Sequence, residues 1–124
     1  MIPRSIHALI DYLFAFILIG APYALQFAGE APEHTVFWIV GFGSIAYSLL
    51  TDYRLGLLKW IPFRAHLAMD FVAGLFLVAS PWLLGFSDRI WLPHVIFGLL
   101  EIGVVLLTRR TDDTLPNALR NRAR

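Results

Sequence analysis

Four long apolar runs fill most of this 124-residue chain and constrain its fold more than any other feature. They cover residues 6–27, 34–50, 65–86 and 91–108, and the short breaks within each pair contain Gly and Pro or Ser and Asp. A helix of about 20 mostly apolar residues crosses a bilayer core, which is about 30 Å thick. The runs lack the two-residue alternation of barrel strands, and helices satisfy their own backbone hydrogen bonds in lipid. We therefore predict an all-α fold, a four-helix bundle of transmembrane helices.

The composition argues against a soluble domain and against several kinds of chemistry. Hydrophobic residues make up 58% of the chain and charged residues 15%, whereas soluble domains carry about a quarter charged residues. The absence of cysteine excludes disulfides, thiolate metal sites and cysteine nucleophiles. The sequence shows no nucleophile-base arrangement, phosphate-binding loop or nucleic-acid motif. We expect neither catalysis nor a nucleic-acid partner.

The basic residues are distributed unevenly along the chain. Of the ten, only Arg89 lies between the third and fourth runs, and none lies between the first and second. The other nine lie before the first run, between the second and third, or near and beyond the end of the fourth. Because cytoplasmic segments of membrane proteins are enriched in Lys and Arg, both termini and the middle segment are predicted to be cytoplasmic. Residues 1–111 are predicted to form the membrane domain, and residues 112–124 a polar, basic cytoplasmic tail.

The sequence repeats itself once, including its rare polar residues. A shift of 59 residues aligns the first run with the third, and a shift of 60 aligns the second with the fourth. The aligned pairs include His7 with His66, Asp11 with Asp70, Pro22 with Pro81, His34 with His94, Gly43 with Gly103 and Thr51 with Thr111. The two repeats, about 3–52 and 62–112, each contain two helices and return the chain to the same side. They are predicted to be parallel and related by a pseudo-two-fold axis along the membrane normal.

A short motif lies near the end of the first helix of each repeat. It reads Ser80-Pro81-Trp82 in the second repeat and Ala21-Pro22-Tyr23 in the first. Within a duplicated two-helix unit, this motif resembles the SPW-repeat family of small bacterial integral membrane proteins. The resemblance implies a multi-pass protein of the bacterial inner membrane and assigns almost no biochemistry. From the residues themselves, each proline is predicted to kink its helix, and the aromatic residue after it to anchor the outer interface.

Two pairs of ionisable residues occur near the beginning of the odd-numbered helices. His7 and Asp11 are one turn apart on one helical face, and His66 and Asp70 repeat this spacing. Pseudo-symmetry is predicted to bring the two pairs together near the axis, on the cytoplasmic side. Several roles are left open for this cluster: a polar tie between the repeats with each histidine bonded to its own aspartate, a site for zinc, iron or manganese, or bis-histidine haem ligation.

A second polar stripe follows the fourth helix through His94, Glu101, Thr108 and Asp112. Glu101 is predicted to lie close to the bilayer midplane, where a carboxyl is costly and by default marks a functional position. Together with Asp11 and Asp70, it suggests a proton or ion route as an alternative function. In the second helix, small residues are predicted to allow close helix packing, namely Gly41, Gly43, Ser44 and Ser48.

We therefore expect a non-catalytic membrane protein that is structural or accessory to a larger assembly. Proton or ion conduction through the buried carboxyls is the alternative, and a metal- or haem-binding protein is the third hypothesis. The expected partner is the lipid bilayer, with a homo-oligomer or larger membrane assembly left open. No cofactor is required by the first two hypotheses.

Overall fold

The computed structural model describes residues 1–109 and confirms the predicted all-α class, with four helices and no extended strand in that range. The helices are α1 (Arg4–Ala24), α2 (Glu33–Leu49), α3 (Phe63–Leu83) and α4 (Leu92–Leu107). The predicted tail at residues 112–124 lies outside the described residues, as do Thr111 and Asp112. Two described helices, α1 and α3, are long and apolar enough to cross a membrane, with 21 residues each.

Helices α1 and α3 end three residues before the apolar runs do, and the ends predicted at Phe27 and Phe86 are therefore wrong. After each helix the chain takes a positive φ angle, 62° at Gln26 and 76° at Gly85. The next amide then bonds back to the proline carbonyl, from Phe27 to Pro22 and from Phe86 to Pro81, each at 2.8 Å. This is the Schellman closure of a helix C-terminus. Both phenylalanines are buried, which explains why the apolar pattern continues past the last helical turn.

Helix α1 packs against α2, α3 packs against α4, and α2 also contacts α3. Glycines allow the closest approaches. A Cβ atom built at Gly41 would lie 3.1 Å from the carbonyl oxygen of Ala15, and one at Gly98 only 2.6 Å from that of Gly74. The packing role predicted for Gly43 is wrong, because a Cβ at this exposed position would meet no atom within 4 Å.

The segments before α1 and α3 have equivalent surroundings. Ile2 forms a parallel bridge with Thr108 at the end of α4, and Ile61 forms one with Thr51 at the end of α2. The amide of Ile2 donates to the carbonyl of Leu107, and that of Ile61 to the carbonyl of Leu50, each at 2.8 Å. Each odd-numbered helix therefore begins beside the end of an even-numbered one.

Apolar side chains fill the bundle interior toward the end that carries Pro22 and Pro81, which we call the proline end. The buried members of this layer, called the apolar layer below, are Leu18, Ala21, Phe27, Val36, Phe37, Val40, Leu77 and Phe86. The opposite end, where α1 and α3 begin, is called the histidine end. Its buried interior is more polar and contains the candidate site.

Candidate functional site: a buried histidine and aspartate cluster

Four ionisable side chains meet at the histidine end, namely His7 and Asp11 of α1 with His66 and Asp70 of α3. We call them the His/Asp cluster. All four are buried, with at most 3% of any residue exposed. One ligand atom from each side chain can be chosen so that the four atoms lie within 4.8 Å of one another. The structure thus brings together the two pairs that the repeat aligned.

The two pairs are interleaved rather than separate. The Nε2 atom of His7 lies 3.1 Å from Asp11 on its own helix and 3.0 Å from Asp70 on α3. The Nε2 atom of His66 lies 3.0 Å from Asp70 and 2.9 Å from Asp11. The prediction that each histidine bonds its own aspartate therefore describes half of the geometry. The crossed contacts, which join α1 to α3, are the other half.

The second ring nitrogen of each histidine contacts a threonine at the end of an even-numbered helix. His7 Nδ1 lies 2.7 Å from Thr108 Oγ1, and His66 Nδ1 lies 2.8 Å from Thr51 Oγ1. Each hydroxyl donates its one proton to the carbonyl four residues earlier, at 2.6 Å. The hydroxyls must therefore accept from the histidines, so Nδ1 carries a proton in both rings. A 60-residue shift aligns Thr108 with Ser48, so the repeat alone did not reveal this equivalence.

Two tyrosines donate hydrogen bonds to the carboxylates. Tyr53 reaches Asp11 Oδ2 at 3.1 Å, and Tyr47 reaches Asp70 Oδ1 at 2.6 Å. Burial and the charge of Asp11 raise the pKa of Tyr53, which lies in the loop after α2 and stays a donor. Both tyrosines come from the first half of the chain, and a 60-residue shift aligns Tyr47 with Leu107. Sequence reasoning missed them because the signal used was the repeat, and the repeat does not include them.

The hydrogen-bond roles fix how much positive charge the cluster needs. With Nδ1 protonated, a neutral histidine presents a bare Nε2 lone pair to the carboxylate oxygens. Two acceptor atoms about 3 Å apart repel each other. Each Nε2 atom therefore needs a proton or another cation between itself and the carboxylate oxygens that it contacts. Two protons satisfy the cluster and make it neutral overall, as two imidazolium–carboxylate pairs. A single divalent cation bound by the four side chains carries the same charge.

Glu101 is buried, with 5% exposure, but it lies outside the set of converging ligand atoms. A Cβ atom built at Gly74 would lie 3.3 Å from that of Glu101, which places Glu101 against α3 one turn beyond Asp70. The predicted stripe on α4 is otherwise inward-facing over its described part, because His94 and Thr108 are also buried. Glu101 is thus near the cluster and on its proline-end side.

Comparison with known protein families identifies the family of this chain. The model of the SPW repeat domain matches residues 5–108, which is most of the sequence. This chain belongs to the SPW repeat family. No curated protein and no solved structure matches it.

In this SPW repeat protein, the residues that name the family lie at the proline end, far from the His/Asp cluster. Pro22 and Pro81 are buried, and the Ser80 hydroxyl donates to the Leu77 carbonyl at 2.8 Å. Tyr23 and Trp82 are 67% and 57% exposed. Along α1, His7 and Pro22 are separated by about 22 Å of helical rise. The motif thus contributes to helix termination and to the surface, since the proline carbonyls accept the closing hydrogen bonds described above.

The other two histidines differ from each other. His94 is buried among the rings of Phe27, Phe37 and Phe86, and its Nε2 donates to the Glu33 carbonyl at 3.0 Å. His34 is partly exposed and lies against Trp38 instead. Beside them, the Arg89 guanidinium donates to the fully buried Glu33 carboxylate at 2.6 Å. This hydrogen bond raises the pKa of Arg89 and connects the beginning of α2 to the loop between α3 and α4 at the proline end.

Proposed function

We propose that this SPW repeat protein is a four-span membrane protein with a structural or accessory role, whose two halves are held together by the His/Asp cluster. The observation that carries the proposal is the crossed hydrogen bonding between α1 and α3. Side chains that only capped their own helices would not need to contact the opposite aspartate at 2.9 and 3.0 Å. Polar side chains that bond across helices are a common way of joining helices in lipid.

Helix length and surface composition support four spans rather than two. Helices α2 and α4 have 17 and 16 residues, which rise about 26 and 24 Å and approach the thickness of a bilayer core with their flanking residues. Both present large apolar side chains outward. Ile39 and Phe42 are 62% and 59% exposed on α2, and Leu99 and Leu106 are 57% and 61% exposed on α4. Apolar surface of this extent suits lipid.

The equivalent bridges at Ile2 and Ile61, and the equivalent histidine–threonine bonds, support two parallel repeats around a pseudo-two-fold axis. In the sequence, Lys and Arg are concentrated before α1, between α2 and α3, and after α4, which supports cytoplasmic termini and an inner-membrane location. In this orientation the His/Asp cluster lies toward the cytoplasm, and the exposed Tyr23 and Trp82 lie at the outer interface. The family membership is consistent with this architecture and adds no catalytic role.

Ion conduction through Asp11, Asp70 and Glu101 is less well supported in a single chain. The apolar layer fills the bundle between these carboxyls and the proline end, and its buried members are at most 8% exposed. A conducting path along the bundle axis needs polar groups or water at each depth. The described residues of one chain do not provide such groups within the apolar layer, so a conducting path would need a second copy of the chain to supply them.

Single-cysteine labelling tests the four spans, because the natural chain contains no cysteine. In inside-out and right-side-out vesicles, Ser87→Cys and Gly29→Cys should react with a membrane-impermeant maleimide from the outside only. Arg54→Cys, in the middle loop, should react from the cytoplasmic side only. If Gly29→Cys and Arg54→Cys react from the same side, α2 does not cross the membrane and the four-span proposal is wrong.

The tie is tested separately by the double variant Asp11→Asn/Asp70→Asn. We expect lower thermal stability in detergent and more proteolysis in the middle loop than in wild type. The matched control is Asp52→Asn, an exposed carboxylate 3.9 Å from Lys59. Stability of the double variant equal to that of the control would contradict the proposed tie.

A further inference from the structure

We propose that the His/Asp cluster binds one divalent transition-metal ion through Nε2 of His7 and His66 and one carboxylate oxygen each of Asp11 and Asp70. The proposal rests on the proposed function, because the metal ion would be the centre of the tie between the two halves. It adds a ligand of defined charge, size and coordination to a cluster that could otherwise be held by protons alone.

The charge balance of the cluster and the tautomers of its two histidines support a bound metal ion. The threonine hydroxyls fix the proton of each ring on Nδ1, so the Nε2 lone pairs of the neutral rings face the centre of the cluster. A histidine ligand binds metals in this neutral form. Two neutral histidines, two carboxylates and one divalent cation sum to zero. The metal ion therefore replaces the two protons that the cluster otherwise requires, with no uncompensated charge in the bilayer.

The distances between the four ligand atoms also support a bound metal ion. Four ligands at about 2.0–2.1 Å from a tetrahedral zinc ion are separated from one another by about 3.4 Å. Three short contacts, at 2.9–3.0 Å, join Nε2 of His7 or His66 to Oδ2 of Asp11 or Asp70, whereas His7 contacts Asp11 through Oδ1 at 3.1 Å. One ligand atom can be chosen from each of the four side chains so that all four atoms lie within 4.8 Å of one another. Opening the short contacts by a few tenths of an ångström and closing the longest separation yields the tetrahedron.

The hydrogen bonds that surrounding side chains form with the four ligands are a further argument for a bound metal ion. Histidines that bind metals usually donate their other ring N–H to an oxygen acceptor, and ligating carboxylates are themselves hydrogen-bonded. Here Thr108 and Thr51 accept from the two rings, and Tyr53 and Tyr47 donate to the two carboxylates. Every ligand is thus oriented by one further side chain.

The ligand set indicates the class of metal. Two imidazole nitrogens and two carboxylate oxygens suit zinc and neighbouring first-row divalent ions, whereas calcium and magnesium prefer six or more oxygen ligands. Four protein ligands on a four-coordinate ion leave no position for water or substrate. Such closed sites are structural in zinc proteins, in agreement with the role proposed for the cluster.

The test uses the full-length protein in detergent and Co²⁺ as a spectroscopic substitute for zinc. The protein is stripped with a chelator, reloaded with Co²⁺ or Zn²⁺, freed of excess ion and measured by elemental analysis. We expect one equivalent of either metal per chain. We also expect intense visible absorption from four-coordinate Co²⁺ and a higher melting temperature after reloading. Less than 0.2 equivalents of both metals, with an unchanged melting temperature, would overturn the proposal.

Variants locate the metal and separate it from the tie. Asp11→Asn/Asp70→Asn should lose the bound equivalent, whereas Asp52→Asn and Glu101→Gln should retain it. Thr108→Val, which keeps all four ligands, should bind Co²⁺ about 10- to 100-fold more weakly. Retention of one equivalent by the double aspartate variant would overturn the proposal by placing the ion elsewhere. Loss of stability in this variant when wild type binds no metal would overturn the metal site and leave the proton-held tie intact.

Discussion

Asp70→Asn removes one of the two carboxylates that form the proposed tie. The Asp70 carboxylate contacts His7 Nε2 and His66 Nε2, each at 3.0 Å, and accepts from Tyr47 at 2.6 Å. Asparagine has the same shape but lacks the charge, and its amide group presents donors where the carboxylate presented an acceptor. One of the three partners therefore loses its acceptor inside a buried site.

The size of the effect follows from burial. Removing one partner of a buried, hydrogen-bonded charge pair costs about 3–5 kcal/mol in soluble proteins. Interhelical hydrogen bonds in membranes average only about 0.6 kcal/mol, because the unfolded chain in lipid also finds partners. The cluster can in addition release one proton when one carboxylate is lost. We therefore expect Asp70→Asn to lower the free energy of unfolding by about 2–3 kcal/mol, within these limits.

The assay is reversible unfolding in mixed micelles of a mild detergent and dodecyl sulfate, followed by far-ultraviolet circular dichroism. Asp52→Asn is the control, and it should change the free energy of unfolding by less than about 0.5 kcal/mol, as expected for an exposed ion pair. Asp11→Asn should resemble Asp70→Asn, because its carboxylate contacts the same two rings. If Asp70→Asn is no more destabilising than Asp52→Asn, the crossed contacts do not hold the halves together.

Three further predictions address the surroundings of the cluster and the packing. Thr51→Val should lower the free energy of unfolding by about 1–3 kcal/mol, because it leaves the His66 Nδ1 proton buried without an acceptor. Thr35→Val, at a half-buried position outside the cluster, should be nearly neutral in the same unfolding assay. Gly98→Ala should lower the free energy of unfolding by about 1–3 kcal/mol, because its Cβ would lie 2.6 Å from the Gly74 carbonyl oxygen. The control Gly43→Ala should be neutral or stabilising. Equal effects of the two substitutions would refute the close approach of α3 and α4. Arg89→Gln should lower the melting temperature more than Arg54→Gln, because the Arg89 substitution leaves the buried Glu33 carboxylate without its cation. Equal melting temperatures of the two variants would refute a stabilising role for the Arg89–Glu33 contact.

The sequence repeat was sufficient to predict which ionisable residues meet. The 59-residue shift aligned His7 with His66 and Asp11 with Asp70, and the structure brings these four side chains together. The shift could not predict that the contacts cross between the helices, because crossed and uncrossed pairs have the same spacing in sequence. That distinction depends on the distance between α1 and α3, which is a property of tertiary packing.

The supporting residues were not predictable from the repeat, because the structural equivalence departs from the alignment. Thr108 occupies the role of Thr51 although the 60-residue shift pairs it with Ser48, and Tyr47 has Leu107 at its aligned position. Side chains at helix ends can reach the same point from different registers. Their contribution depends on the ends of α2 and α4 lying beside the beginnings of α3 and α1.

The helix ends illustrate a different limit. Gly85 is a recognisable signal for a left-handed residue after a helix, whereas Gln26 takes the same conformation without such a signal. In both cases a buried phenylalanine extends the apolar pattern beyond the helix. Hydropathy reports burial of Phe27 and Phe86 correctly but does not distinguish a helical residue from one that folds back onto the core.

A double-mutant cycle between His7 and Asp70 tests the central claim most directly, because the two residues belong to different halves of the chain and lie 3.0 Å apart. The free energy of unfolding is measured for wild type, His7→Gln, Asp70→Asn and the double variant. A parallel cycle between His7 and Asp52 serves as the reference. A polar tie between the halves predicts a coupling energy of about 1 kcal/mol or more for His7 with Asp70, and none beyond error for the reference. Additive effects in both cycles would contradict the claim that this cluster joins α1 to α3.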